Sequence, residues 1–247
     1  MNDTPANEDI VRPLKGKNAP NLGPVAVLVS DPHDLCLLCK LMNLPKDNYR
    51  NLFNSRLYLT DEDPAGFSIV GPLIGAPYAT MLLETIVAWG ARKILFFGWC
   101  GAVAPRVKIG DIIVPSAAFI DEGTSRHYNG DENFLARPSA QMLAKTKTAL
   151  KEYDLSFHEG PVWSTDAVYR ETRAKVEYFQ QKDVLAVEME LSALFTVGRY
   201  RAVDVSGILV VSDEVSTFRW RPGFKEKDFK KGRQAVAEVI SILCPKI

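Results

Sequence analysis

The chain has 247 residues, of which 47% are hydrophobic and 24% charged, and its 30 Lys and Arg balance its 30 Asp and Glu. That composition can bury a core without disulfides or a metal and is too apolar for a disordered chain. The zero formal charge argues against a nucleic-acid binder, which carries a basic excess, and no window approaches the ~20 apolar residues of a membrane span.

Residues 1–24 read as an extended lead-in, broken by Pro5, Pro13, Pro20 and Pro24, ahead of a single domain over residues 25–247. The polar N-terminus lacks an apolar signal core, so the expected location is cytoplasmic. Residues 25–29 form a short apolar run suited to a buried strand. Ser30-Asp31-Pro32 then reads as a turn into a helix, with Ser30 or Asp31 capping and Pro32 in the first turn. Cys36 and Cys39 form a C-x-x-C. With only four cysteines and three histidines in the chain, no zinc set is apparent, and reduced thiols on a helix face are expected. Residues 77–89 have helical periodicity ending at Gly90.

Residues 94–97, closed by Gly98, and 111–114 read as buried strands. Residues 139–153 and 170–181 read as helices, and 184–187 as a short strand feeding a helix over 191–200. Residues 207–211 are another buried strand. The last helix runs over 228–243, with Val236, Val239, Ile240 and Leu243 on one face. The run from Lys225 to Lys231 mixes signs and reads as a solvated face. Strands alternate with helices throughout, which argues an α/β domain with a largely parallel sheet. In such sheets ligands sit beyond the carboxyl ends of strands, so the strand exits carry the functional information.

Three exits stand out. Gly98-Trp99-Cys100-Gly101-Ala102 offers backbone N–H groups to an anion or a sugar, or is simply a tight turn. Glu188-Met189-Glu190 places two acids directly after an apolar run. A buried carboxylate must be paired or hydrogen-bonded, and it can accept from two adjacent sugar hydroxyls. The same acids could instead cap the helix that begins near Leu191. Ser212-Asp213 ends a further apolar run; an acid there suits proton transfer, or a helix cap. Phe218 to Gly223 is an aromatic and basic loop able to close over the site, with Arg219 or Arg221 available to Asp213, or to form an oligomer contact through Trp220.

Taken in order, these exits, with Lys108 to Pro115, Gly71 to Gly75 and Ser164 to Thr172, resemble the nucleoside phosphorylase and uridine phosphorylase superfamily over nearly the whole chain. The resemblance implies a three-layer α/β/α sandwich around a mixed, partly barrel-like sheet. It implies cleavage of the N-glycosidic bond of a nucleoside, by family default phosphorolysis to free base and ribose 1-phosphate. Phosphate is then co-substrate, with no metal or organic cofactor. The implied partners are a nucleoside and further copies of the chain, as a dimer or a hexamer built as a trimer of dimers.

Residue by residue, the resemblance assigns Glu190, Met189 and Glu188 to the ribose, and Asp213 to a purine-type base as the catalytic acid. Val168 stands where relatives place a stacking phenylalanine, with Tyr169 and Arg170 beside it at the base. Ser30, Gly98, Trp99 and Arg56 are the anion-site positions, Arg56 matching an arginine given by a neighbouring subunit. The pattern departs where relatives clamp phosphate: Asp34 and Phe96 replace two arginines, and Trp99 a small hydroxyl residue. An acid there repels a dianion that arginine forks would hold. Three readings follow: a phosphorylase whose anion site is rebuilt with Arg126, His127 or Arg170; a nucleosidase using water; and a non-catalytic nucleoside or base binder.

Overall fold

Apolar, β-branched runs set the sheet, and the computed structural model describes it over residues 9–60, 66–129 and 134–247. In chain order the elements are β1 (Val25–Val29), α1 (Pro32–Leu41), β2 (Arg50–Leu52), β3 (Ser55–Leu59), β4 (Phe67–Gly71), α2 (Ala76–Trp89), β5 (Lys93–Ala102) and β6 (Ile112–Asp121). There follow α3 (Arg126–Asn129), β7 (Leu135–Ala136), α4 (Ala140–Glu152), β8 (His158–Thr165), α5 (Arg173–Gln180), β9 (Ala186–Glu188), α6 (Leu191–Tyr200), β10 (Asp204–Glu214), β11 (Arg221–Pro222) and α7 (Lys227–Leu243).

All eleven described strands belong to one mixed sheet. Strands β5, β10, β6, β8 and β9 close on themselves as a five-stranded ring. Pairing is parallel in β5–β10, β6–β8 and β8–β9, and antiparallel in β10–β6 and β5–β9. From the ring, β1, β4, β3 and β2 extend as an open arm through the β1–β5 pair. Helices α1, α4 and α7 pack together on one side, and α2, α3 and α6 on the other. The mixed, partly barrel-like sheet and its helical layers match the architecture expected from the sequence.

The local sequence explains most of the helices. Asp31 caps α1 by accepting from the His33 and Asp34 amides, and Gly90 ends α2. Ser139 caps α4. The apolar stripe of α7 is buried at Val236, Val239, Ile240 and Leu243, but Phe229 is buried too, so the 225–231 run is not wholly solvated. All four cysteines are free; Cys39, Cys100 and Cys244 are buried and Cys36 is exposed.

Several elements differ from the sequence reading. Strand β5 does not close at Gly98: pairing of Leu209 with Gly98 and Val210 with Trp99 carries it on to Ala102. Strand β10 likewise runs through Ser212 and Asp213, so Asp213 is not at a strand exit. Tertiary pairing outweighs the weak strand preference of these residues. The helix expected over 170–181 is a 3₁₀ turn at Val168–Arg170 followed by α5, which Thr172 caps. Strands β2, β3, β4, β7, β8 and β11 escaped the sequence reading. Strand β8 contains Gly160 and Pro161, residues that argue against a strand, and they face an irregularity in β6 at Pro115 and Ala117.

Helix α7 comes very close to the sheet at Gly232. A Cβ there would lie 2.5 Å from the Gly110 carbonyl oxygen and 2.9 Å from a Val210 methyl. Alanine gains up to about 1 kcal/mol over glycine in a free helix, but overpacking against backbone costs about 1–3 kcal/mol, and the immovable carbonyl decides the sign. Gly232→Ala is therefore expected to lower the urea midpoint by an amount equivalent to about 1–2 kcal/mol with an unchanged m-value; a midpoint at or above wild type would refute this close approach.

Candidate active site

The sheet forks along β5. Its first half, to Phe97, pairs with β1, and its end, at Gly101 and Ala102, pairs with β9. Between the two pairings lies a cavity of about 300 Å³. It opens where the chain leaves β1 at Ser30, where β5 passes Trp99, where β9 delivers Met189 and Glu190, and where β10 presents Asp213. A register shift between Val211 and Asp213 sets Asp213 opposite Gly101. The approach is close: a Cβ on Gly101 would lie 3.1 Å from the Asp213 carboxylate and 3.3 Å from a Val187 methyl.

Two acids at the end of β9 have different duties. Glu188 accepts from the amides of Glu190 and Leu191 at 2.7 Å each, and from the Ser164 hydroxyl. It thus holds the exposed amides at the start of α6, the helix-capping reading of its position. Glu190 accepts from the Gly75 amide at 2.6 Å and, more weakly, from the Met189 amide at 3.3 Å. Burial pushes its carboxyl up, and the neighbouring Glu188 adds to the effect. With three donors on Glu188 and one short bond on Glu190, Glu190 is the acid of the pair that keeps its proton in the empty site.

Asp213 accepts from the Trp220 indole at 2.8 Å and from the Ser212 hydroxyl at 2.7 Å. Neither Arg219 nor Arg221 reaches it in the way the sequence suggested: Arg219 is exposed, and Arg221 pairs with Glu214 at 2.7 Å and Glu226 at 2.8 Å. Glu171, which the sequence reading did not single out, lines the same cavity. Burial, followed by the charge of Asp213, pushes its carboxyl up to about 7.

The anion positions are rebuilt in an unexpected way. Asp34 is fully buried and accepts from the Trp99 indole at 2.6 Å and from Arg233 at 2.7 Å. Arg233 also approaches Asp31 at 3.4 Å and lies over the Trp99 ring, 4.8 Å from its centroid. Burial raises the Asp34 carboxyl and Arg233 opposes that rise. So Asp34 is neutralised from within the chain and is not a free charge facing the cavity. Arg233 was invisible to motif reading because it comes from α7, 199 residues away.

Other expected site residues are placed differently. Val168 lines the cavity, but Tyr169 is 97% exposed and Arg170 is also exposed, because the 3₁₀ turn points both outward. Gly98 is buried inside β5 against the Phe96 ring and does not line the cavity. Arg56 lies on β3 over the Tyr49 ring, outside the cavity. Arg126 and His127 are exposed and also outside it. Phe224, unremarked in the sequence, joins Trp99 at the rim with ring centroids 6.2 Å apart. Among the described residues no group of three or more His, Cys, Asp or Glu is arranged to hold a metal ion. No described helix is long and apolar enough to cross a membrane.

The family model for the phosphorylase superfamily matches residues 24–244, and the chain belongs to that superfamily. A guanosine phosphorylase of Halorubrum lacusprofundi is 31% identical over 149 residues, covering 60% of this chain and 61% of the relative. A DeoD-type purine nucleoside phosphorylase of Bacillus cereus is 31% identical over 151 residues, covering 61% and 64%. The match thus spans just over three fifths of these relatives' length. Among solved structures, uridine phosphorylase from Vibrio fischeri superposes with a TM-score of 0.76 at 24% identity, over 91% of each chain. Purine nucleoside phosphorylase from Toxoplasma gondii, in complex with immucillin-H, superposes with a TM-score of 0.78 at 20% identity, over 92% of each. The fold is that of the nucleoside phosphorylases.

The raised Glu190 has a consequence for stability. The folded chain keeps a proton that the unfolded chain releases above the ordinary value of 4.5. This contribution is complete in acid and is lost as the pH rises through the folded value. Glu190→Gln keeps an acceptor for the Gly75 amide and removes the titration. The variant is expected to melt above wild type beyond neutral pH, with the two curves converging in acid. A constant offset across the pH range would show that Glu190 titrates alike in the folded and unfolded chains.

Proposed function

We propose that the chain cleaves the N-glycosidic bond of a nucleoside, releasing the base. The observation that carries this is the buried Glu190 carboxyl at the cavity, fixed by the Gly75 amide beside Met189. Ribose hydroxyls are donors that suit it, and their arrival favours the carboxylate, so binding displaces the proton held in the empty site. The resulting charge lies beside the sugar as it becomes cationic in the transition state. Glu188 is a positioning residue in this scheme, ordering the start of α6 so that Glu190 meets the sugar. Met189 packs on the ribose. Asp213 and Val168 mark the end that receives the base, and a purine is favoured by the carboxylate at Asp213 and by the names of the sequence relatives.

Phosphorolysis to ribose 1-phosphate is the reading supported by those relatives, with phosphate as co-substrate and no organic cofactor. The cation for phosphate then comes from outside the cavity, because no Lys or Arg lines it and Arg233 is held by Asp34. Arg56 of a neighbouring copy fills that need in a homo-oligomer, a dimer or a hexamer built as a trimer of dimers. Exposed Phe53 and Met81, which border a second, larger cavity, offer an apolar face for the association. The charged residues of the lining are all acids, which favours a second reading, in which water attacks in place of phosphate.

Incubation with inosine, adenosine, methylthioadenosine and uridine, with and without phosphate, separates the readings. Phosphate-dependent base release with ribose 1-phosphate supports the first, and phosphate-independent release the second. Glu190→Gln is expected to lower kcat by at least about 10²-fold. Saturable nucleoside binding without any base release would leave a binding protein instead of an enzyme.

A further inference from the structure

The half-buried carboxyl of Glu171 is the one acid of the cavity with neither a protein partner nor an assigned duty. It sits between the 3₁₀ turn Val168–Arg170 and the cap of α5, where its amide bonds to the Val168 carbonyl at 3.3 Å. Its side chain makes no hydrogen bond or ion pair with any described residue. Asp213, by contrast, has an acceptor bond on each oxygen, from Trp220 and from Ser212. Both oxygens of that acid are thus occupied as acceptors.

Resting on the cleavage reading, we propose that Glu171 is the general acid that protonates the departing base, while Asp213 is the acceptor that positions it. As the bond from C1′ to the base nitrogen breaks, its electron pair passes into the base. The Glu171 proton moves to the imidazole nitrogen of a purine, leaving Glu171 as a carboxylate. The attacking oxygen, from phosphate or water, forms the new bond at C1′. The proton it gives up reaches solvent, from which Glu171 is recharged.

The surroundings keep Glu171 protonated near neutrality. Asp213 of β10 acts on it with like charge, and Asp31, Glu188 and Glu190 line the same cavity. The single opposing cation is Lys175 of α5, which is committed to Asp121 at 2.6 Å. A carboxyl held up to about 7 is matched to proton donation at neutral pH.

The test compares wild type, Glu171→Gln and Asp213→Asn on a purine nucleoside and on its N7-methylated form, whose base departs neutral without a proton. Wild-type kcat on the unmodified nucleoside is expected to fall on the alkaline side. Glu171→Gln should abolish that limb and lower kcat by at least about 10²-fold, with at least a tenfold smaller loss on the N7-methylated nucleoside. Asp213→Asn should retain the alkaline limb. Equal losses of Glu171→Gln on both nucleosides, or an alkaline limb that persists in it and vanishes in Asp213→Asn, would overturn the assignment while leaving the cleavage reading intact. A wild type inactive on both nucleosides would overturn the two together.

Discussion

The parting of β1 and β9 along a single edge of β5 is the constraint from which the cavity follows. A strand has one neighbour on each side, so β5 can exchange β1 for β9 only by leaving a gap between the two pairings. Backbone and side chains at that gap face open space, with the layers of the sheet packed around it. The ring closes because β10 stays paired with β5 on the other edge along its whole length. Ligands settle at such changes of strand order in α/β sheets, and here the break is held open by rigid strands.

What fills the gap is an excess of negative charge. Asp31, Glu171, Glu188, Glu190 and Asp213 all line it, and burying carboxylates without compensation is costly. The fold answers each differently. Asp31 caps α1, and Glu188 takes the amides at the start of α6. Asp213 is supplied with an indole and a hydroxyl. Glu190 and Glu171 keep protons instead. The guanidinium of Arg233, largely covered, is held by Asp34, so the cavity keeps its negative character. A cationic sugar suits that field, and an incoming dianion needs help from another chain.

Much of this was legible before any coordinates. The buried runs of β1, β5 and β10, the caps of α1 and α4, and the stripe of α7 follow from short-range chemistry that a sequence displays. Glu190, Met189 and Asp213 were found because apolar runs ended on them. The polar or Gly- and Pro-containing strands β2, β3 and β8 were not, since their strand character comes from partners distant in sequence. For the same reason β5 and β10 extend past their expected ends. Tyr169 and Arg170 are expected at the base only from their neighbourhood to Val168, and the 3₁₀ turn instead points both outward and brings Glu171 inward. Arg233 carried no local signal at all: it looks like an ordinary helical arginine until α7 meets α1.

That meeting has a bearing on how the protein is made. Asp34 leaves the ribosome 199 residues before Arg233. At roughly 5–20 residues per second, this is a delay of about 10–40 s in the nascent chain. Throughout it the Asp34 carboxylate lacks the guanidinium that it meets in the folded chain, and burying it unpaired would be costly. The N-terminal turn of α1 therefore gains its partner only after α7 has been made.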